Sequence, residues 1–452
     1  MTTNAPSLQV TSEESSAIKS EAARGETKTP VTNQRLMSVD ALRGFDMFWI
    51  IGADSLVYAL HRFSPGKTTS FLADQLEHAD WEGFHFYDLI FPLFVFLMGV
   101  SVVFSLTKTI ERAGRAEALK RVVRRGLLLF LVGLFYSGGF VNGWPDMRLM
   151  GVLNRIALAY LFGGLLFCFF KPRALVGIFA AILLVYWALM TFVPIRDIKL
   201  TRSNIARLAE EAGDMRTADY FRDRESPNPS IVKNSPAWAA TERLFYGTTN
   251  WVQGKFDKGQ NLADHIDFQY LPGKKYDTFF DPEGFLSTIP AVGTCLLGIF
   301  AGLLLRNQTV PDQKKVIYLV GCGIAAAIAG WCWNFQFPVI KKIWTSSYVL
   351  VAGGYSAILV GVFYQIVDIW QKRAWCQPFV WMGMNSITIY LTSNIIGGFR
   401  KLATRFVGGD VKVFFDEHFA RGLGDMVISI TGLLLAFWFV HFLYKRNIFL
   451  RL

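Results

Sequence analysis

The segment HADWEGFHFYDLIFPLFVFLMG, residues 78–99, places His78, Asp80, Glu82, His85 and Asp88 directly before an apolar run. Ionisable groups at the lip of a bilayer are costly and are kept mainly for function. An imidazole exchanges a proton near neutral pH, and a carboxylate can orient it. His78 and Asp88 are therefore the first catalytic candidates, provided the loop between them folds back. Such a base works best when its pKa lies near the ambient pH. The plainer alternative for His78 is a solvated loop histidine. Asp88 leaves less room for that, because it opens a run with no other charge. Trp81, close to His78, is a candidate substrate contact. No histidine pair has metal-ligand spacing on one helix face, so no metal is expected.

A second set lies on the first apolar segment. At about 100° per residue, with Asp40 at zero, Arg43 falls near −60°, Asp54 near −40° and Asp46 near −120°. A straight helix would thus carry a polar stripe. Asp40 with Arg43 also reads as a simple i,i+3 ion pair. Asp54 is a catalytic candidate in a polar cavity, because a buried carboxylate is expensive. Further along, RLMGVLNRIALAY (148–160) holds Asn154 and Arg155 inside an apolar span. Arg155 is either an internal salt-bridge partner or a contact for a ligand phosphate or carbonyl. In DPEGFLSTIPAVG (281–293), Asp281 reads as a helix cap with Pro282 at the first position and Glu283 in the first turn. Asn385, in GMNSITIYL, is an interhelical hydrogen-bonding residue or a ligand contact.

These groups need elements to position them, and composition says which. The chain has 452 residues, of which 52% are hydrophobic, 15% aromatic and 18% charged. Ordinary soluble domains carry about 25% charged residues. The expected fold class is therefore all-α, a polytopic integral membrane protein in a lipid bilayer. Apolar runs of about 20 residues can cross a bilayer. About ten transmembrane helices are expected, at 41–60, 86–106, 126–141, 152–170, 174–193, 284–305, 316–333, 347–367, 378–398 and 424–444. The basic 107–125 segment marks the cytoplasmic side by the positive-inside rule. Both termini are then cytoplasmic, and 399–423, with Arg400, Lys401, Arg405, Lys412 and Arg421, is an unusually basic outer loop. Residues 1–34 read as a disordered cytoplasmic tail with no signal peptide. Residues 35–452 form the transmembrane domain, with a large extracytoplasmic loop at 194–283 whose aromatics argue for a folded cap.

The net charge of +11 reads as topology rather than nucleic-acid binding, for which no motif is present. The five cysteines show no pairing or metal spacing and read as small core residues. No P-loop, nucleophile elbow or dinucleotide fingerprint occurs.

Taken in order, RLMSVDALRG, HADWEGFHFYDLIFPLFVFLMG, RLMGVLNRIALAY, DPEGFLSTIPAVGTCLLGIFAG, IKKIWTSSYVLVAGG and GMNSITIYL resemble the heparan-α-glucosaminide N-acetyltransferase family, including its bacterial NagX-like members. The resemblance runs from Arg35 to about residue 398. It implies a transmembrane acyltransferase that moves an acetyl group from cytoplasmic acetyl-CoA to the amine of an amino sugar of the glucosamine type. His78 would correspond to the family's active-site histidine and Asp88 to its carboxylate. Asp54 stands where the family has an asparagine. Asp267 matches a family position, with Phe268 where an arginine is usual. IKKIW departs from a more Asn-rich version at Ile340 and Lys342.

On this reading acetyl-CoA is a co-substrate whose phosphates meet Arg43, Arg124, Arg125 and Arg155. Trp81, Asp267 and Asn385 line the acceptor side. His78, on the periplasmic side of a bacterial inner membrane, would act as a general base or carry the acetyl group itself. An amino-sugar transporter, O- or N-acetylation of an envelope glycan, and assembly as a homodimer stay open.

Overall fold

The computed structural model describes residues 36–139, 141, 143, 146–222 and 235–450. The expected 1–34 tail lies outside the described residues. Among the described residues nearly all regular structure is helical, and seven helices are long and apolar enough to cross a membrane by length and composition. They are Phe86–Tyr136, Val152–Phe169, Pro172–Phe192, Thr288–Arg306, Asp312–Trp333, Ser346–Ile369 and Leu423–Lys445. The chain is a polytopic helical membrane protein.

The difference from ten spans has three local causes. Phe86–Tyr136 is one run of 51 residues, covering two expected spans and the basic loop between them. It turns at Gly114, whose φ of +82° is readily adopted only without a Cβ. Lys108, Arg112, Arg115 and Arg121 thus sit on helical turns rather than in a loop. The first expected span is also broken. Met37–Phe48 runs into a π-helical turn, Trp49–Ala53, with Gly52 at φ +137°, and resumes as Asp54–Phe63. A π-turn shifts the angular register, so the four-residue polar stripe expected on a straight helix is not formed. Finally, the ninth expected span divides into Gln377–Met384 and Ser386–Ile395, with Asn385 between them.

Lipid offers helices no hydrophobic driving force toward one another, so packing relies on small residues that let backbones approach. Phe86–Tyr136 and Thr288–Arg306 cross at such a point. A Cβ on Gly99 would sit 2.2 Å from the Cys295 carbonyl oxygen, and one on Gly298 would sit 2.0 Å from that of Phe96. Gly44 and Gly383 play the same part where Met37–Phe48 meets Gln377–Met384.

The 194–283 segment is folded where described. Helices Arg202–Glu211, Met215–Arg222, Pro236–Gly247 and Leu262–Tyr270 accompany an antiparallel pair, Ile195–Arg196 with Trp251–Val252. Trp238, Phe245, Phe268, Phe279 and Phe280 form its apolar core. Phe268 sits in the middle of that core, so its apolar identity is a packing requirement here.

Of the five cysteines, Cys168, Cys295 and Cys376 are buried, whereas Cys322 and Cys332 are exposed. The last two are not core residues; apolar neighbours on a lipid-facing helix gave the same composition as a core.

Candidate active site

The loop that precedes Phe86–Tyr136 is held at both ends. Gln75 Oε1 accepts from the Phe86 amide at 3.1 Å, and the His85 ring bonds the Glu77 carbonyl at 3.0 Å. Within this fold-back Asp88 gathers the loop around one carboxylate. Its Oδ2 accepts the amides of His85 at 3.0 Å and Ala79 at 3.2 Å. Its Oδ1 accepts from His78 Nδ1 at 2.9 Å. The Asp88 side chain is 1% exposed and that of His78 is 51% exposed. A carboxylate in the first helical turn is also favoured by the partial positive charge there. Asp88 therefore caps the helix and orients the imidazole with the same group.

A third member comes from 263 residues away. The Glu82 segment forms a β-bridge with Ile340, and the Gly83 amide donates to the Val339 carbonyl at 3.0 Å. That bridge delivers Lys341, whose Nζ lies 2.9 Å from His78 Nδ1, 3.4 Å from His78 Nε2 and 3.3 Å from Asp88 Oδ1. The turn carrying Lys341 is fixed by Thr345, which accepts the Ile340 amide, and by Trp344, whose φ is +49°. Burial pushes the Lys341 amine down from its ordinary value, and Asp88 opposes that shift. Assigning the ring proton to Nδ1, against Asp88, leaves Nε2 as the basic nitrogen, with Lys341 Nζ 3.4 Å from it. Nothing in the spacing of Lys341 announced this role; the only sequence signal was its place in the IKKIW motif.

Tyr87 joins this site to Asp54. Its ring lies 4.9 Å from that of His78, and Asp54 is among its electrostatic neighbours. Asp54 opens onto a cavity of about 480 Å³ shared with Arg400 and Lys401.

A separate cluster lies behind Lys341. Arg148 binds Asp281 through two bonds of 2.8 and 2.7 Å and reaches Glu283 at 2.8 Å. Asp281 also accepts the Tyr276 and Glu283 amides. The helix that follows begins only at Thr288. Asp281 is therefore not the cap that Pro282 and Glu283 suggested; it anchors an arginine and folds a turn. Burial, reinforced by Asp281, raises Glu283 above the ordinary carboxyl range. Asp267 is pushed up to about 7, again chiefly by burial.

The other sequence candidates fall as follows. Trp81 donates from Nε1 to the Phe256 carbonyl at 2.7 Å and packs against the apolar core of the 194–283 segment and against a second cluster that joins Leu262 to Tyr186, Phe337 and Ile340. It bolts the histidine loop to that segment. Asp267 is 2% exposed and accepts the Asp281 and Phe285 amides, and a Cβ on Gly284 would clash with it at 1.8 Å. It is sealed inside the wall. Asn385 is also buried, donates to the Trp381 carbonyl at 3.3 Å and separates two short helices.

Arg43 bonds Ser101 at 2.7 Å and pairs with Asp40 at 3.3 Å. Arg125 stacks on Tyr160 at 5.0 Å, while Arg124 is exposed. Arg155 is fully buried, donates to Ser287 and lies 4.9 Å over the Trp344 ring. The four arginines do not form one cradle, because Arg155 belongs with the Asp281 cluster. Asp46 is fully buried near Arg43. Among the described residues no group of histidine, cysteine and carboxylate side chains is arranged to hold a metal ion.

Residues 35–222 match the family model described as heparan-alpha-glucosaminide N-acetyltransferase, catalytic. The human heparan-alpha-glucosaminide N-acetyltransferase is 26% identical over 375 residues, covering 79% of this chain and 52% of the human protein. The mouse protein of the same name is 24% identical over 452 residues, covering 94% of this chain and 61% of its own length. The chain thus spans about half to three-fifths of the relatives it matches. His78, Asp88, Asp54 and the four arginines fall inside the matched region, whereas Lys341, Asp267 and Asn385 lie beyond it. By that match and those relatives, the chain is similar to the heparan-alpha-glucosaminide N-acetyltransferases, which are acyltransferases, with the family model covering residues 35–222.

Proposed function

We propose that this protein transfers an acetyl group from cytoplasmic acetyl-CoA to the amine of a glucosamine-type sugar at the opposite face of the membrane. The single observation that carries the reading is the contact of His78 with Asp88, which leaves Nε2 open beside Lys341. The relatives' names describe N-acetyl transfer to a heparan alpha-glucosaminide, which supports the reading.

The amine nitrogen attacks the thioester carbonyl carbon, and His78 Nε2 takes the proton that nitrogen loses. Lys341 stabilises the negative charge that develops on the carbonyl oxygen. The carbon–sulfur bond then breaks, and the coenzyme A thiolate receives the proton from the imidazolium. Asp88 holds the ring in the tautomer both steps need. Arg43, Arg124 and Arg125, on the basic side, meet the coenzyme phosphates as charge-assisted donors. In a bacterial cell the His78 face is the periplasmic face of the inner membrane.

The test is transfer by the purified full chain with acetyl-CoA and glucosamine, comparing wild type with His78→Ala and Asp88→Asn. Turnover in both variants equal to wild type overturns the mechanism. Radiolabelled acetyl-CoA given without acceptor checks the one-step route: no label stays on the protein. Stoichiometric labelling, lost in His78→Ala, would replace that route with a covalent one.

A further inference from the structure

The basic 399–423 segment runs against the charge bias expected of an outer loop. It carries five basic residues against three acidic ones, Asp410, Asp416 and Glu417. The structure folds it into two short helices, Phe399–Val407 and Asp410–His418. The first buries Phe399 and Ala403, and its backbone at Arg400 lies against Gly432 of helix Leu423–Lys445. The second buries no residue at all, although it carries Val411, Val413, Phe414 and Phe415. Phe406 and Phe419 are 66% and 65% exposed, and Phe414 is 48% exposed. Phe415 stacks on Phe419 with ring centroids 5.4 Å apart. Apolar side chains gathered this way on an outer face mark an interaction surface.

The depth of this surface is fixed by the chain. Phe419 stands four residues before Leu423, where a membrane-length helix begins, and Gly422 makes the turn at φ +94°. Asp416 clasps that turn. It accepts the Gly422 and Gly424 amides at 3.0 and 2.8 Å and pairs with Lys412 at 3.1 Å. The exposed phenylalanines are therefore held beside the boundary of the apolar layer. That boundary is the one nearer His78. Arg62 meets Asp425 at 3.4 Å, Ser429 donates to the Ser55 carbonyl at 3.3 Å, and Tyr58 donates to the carbonyl of Leu76, two residues before His78.

Charge selects the occupant. Arg405 and Arg421 are exposed and have no hydrogen-bond or ion-pair partner among the described residues. Each stands within two residues of an exposed phenylalanine, Arg405 beside Phe406 and Arg421 just after Phe419. An amphipathic helix with cations along its polar edge lies in a membrane interface, its aromatics among the acyl chains and its cations at the phosphates. We propose that the 399–423 helices are an interfacial platform that binds anionic phospholipid in the leaflet on the His78 side. Phe406, Phe414 and Phe419 enter the acyl layer, and Arg405 and Arg421 hold the headgroup phosphates. The proposal goes beyond the acetyl-transfer reading and needs none of it.

The test uses the purified full chain with Phe419→Trp, reconstituted into phosphatidylcholine vesicles. A fraction of the lipid carries brominated acyl chains, either as phosphatidylglycerol or as phosphatidylcholine. Emission of the parent chain, with its 13 tryptophans, is subtracted. Bromine quenches the added indole only where lipid touches it. Quenching is expected from both lipids, with phosphatidylglycerol favoured by roughly 5-fold for each cation at the surface. Arg405→Gln and Arg421→Gln should each remove one such factor, and the double variant should quench equally with either lipid. Arg405→Lys/Arg421→Lys should keep most of the preference. Phe406→Trp supplies a second probe position where Phe419→Trp does not fold.

Absence of quenching at both positions overturns the proposal, because water or a second copy of the chain then covers the phenylalanines. Equal quenching by the two lipids without the glutamine substitutions also overturns it. So does a preference abolished by inorganic phosphate but not by sodium chloride at equal ionic strength, since the site would then belong to a free anion.

Discussion

Two carboxylates, Asp88 and Asp281, each gather a cation and several backbone amides, yet their surroundings differ. Asp88 faces a half-exposed imidazole and a lysine brought in by a distant turn. Asp281 is gripped through two bonds by Arg148 in a closed wall with Glu283 and Asp267 nearby. The first cluster keeps its imidazole half-exposed, with Nε2 3.4 Å from Lys341. The second uses its charges on each other. On the proposed reading, the difference is that an ion pair serves chemistry only when one member keeps a face toward open space, as half-exposed His78 does.

The strongest way to break this comparison is to remove the orienting oxygen. Asp88→Asn presents the wrong partner to His78 Nδ1, and turnover should fall roughly 10³- to 10⁴-fold, by analogy with the loss of an orienting carboxylate elsewhere. Initial rates measure this, and a thermal unfolding midpoint near that of wild type would assign the loss to chemistry. Equal losses of rate and folded protein would place Asp88 in the same class as Asp281.

Arg148→Met should do the reverse. It strands two carboxylates in the wall, a change of about 3–5 kcal/mol in stability. The signature is a lowered unfolding midpoint, with activity per folded molecule largely kept.

The 194–283 segment and its wall give a pH test. His265, buried against the Ile198 carbonyl, is pushed down to about 4 by desolvation. Its folded pKa lies below the unfolded value of 6.5, so its contribution is present above pH 6.5 and is lost as pH falls through 4. Asp267 is raised to about 7 from 3.8. Its contribution is present below pH 3.8 and is lost as pH rises through 7. Between pH 4 and 6.5 the two slopes oppose each other, each at about 1.4 kcal/mol per pH unit at most. Asp267→Asn should therefore make stability rise more steeply with pH than in wild type, and His265→Gln should make it rise less. Unfolding midpoints at pH 4.5 and 6.5 decide the sign.

The smallest expected effect is that of Lys341→Gln. It keeps a donor near the reacting oxygen and removes the charge, so kcat should drop roughly 10- to 100-fold, with little change in stability. An unchanged kcat would leave Lys341 a structural ion-pair partner of Asp88.

Much of the fold was legible because apolar length is a one-dimensional property. Phe86 onward, Val152–Phe169 and Thr288–Arg306 follow from runs of apolar residues alone. The fold-back of His78 onto Asp88 was legible as a condition, since ten residues with two charged ends can close. Three things were not. The π-turn at Gly52 shifted Asp54 off the stripe that a regular helix would have made. The apparent cap at Asp281 had the right residues in the right order, but Arg148 competed for the carboxylate. Exposed Cys322 resembled a core cysteine, because lipid-facing and core-facing positions are both apolar.

The sequence by itself determined a bilayer protein, its helical repertoire and the pairing of a histidine with a carboxylate at the start of an apolar helix. These depend on local hydropathy and on contacts within a few turns. Only the tertiary structure decided that Lys341 completes the site, that Arg155 serves the wall and that Asp54 shares a cavity with Arg400. Those contacts join residues more than a hundred positions apart, and no local pattern encodes which distant turn arrives there.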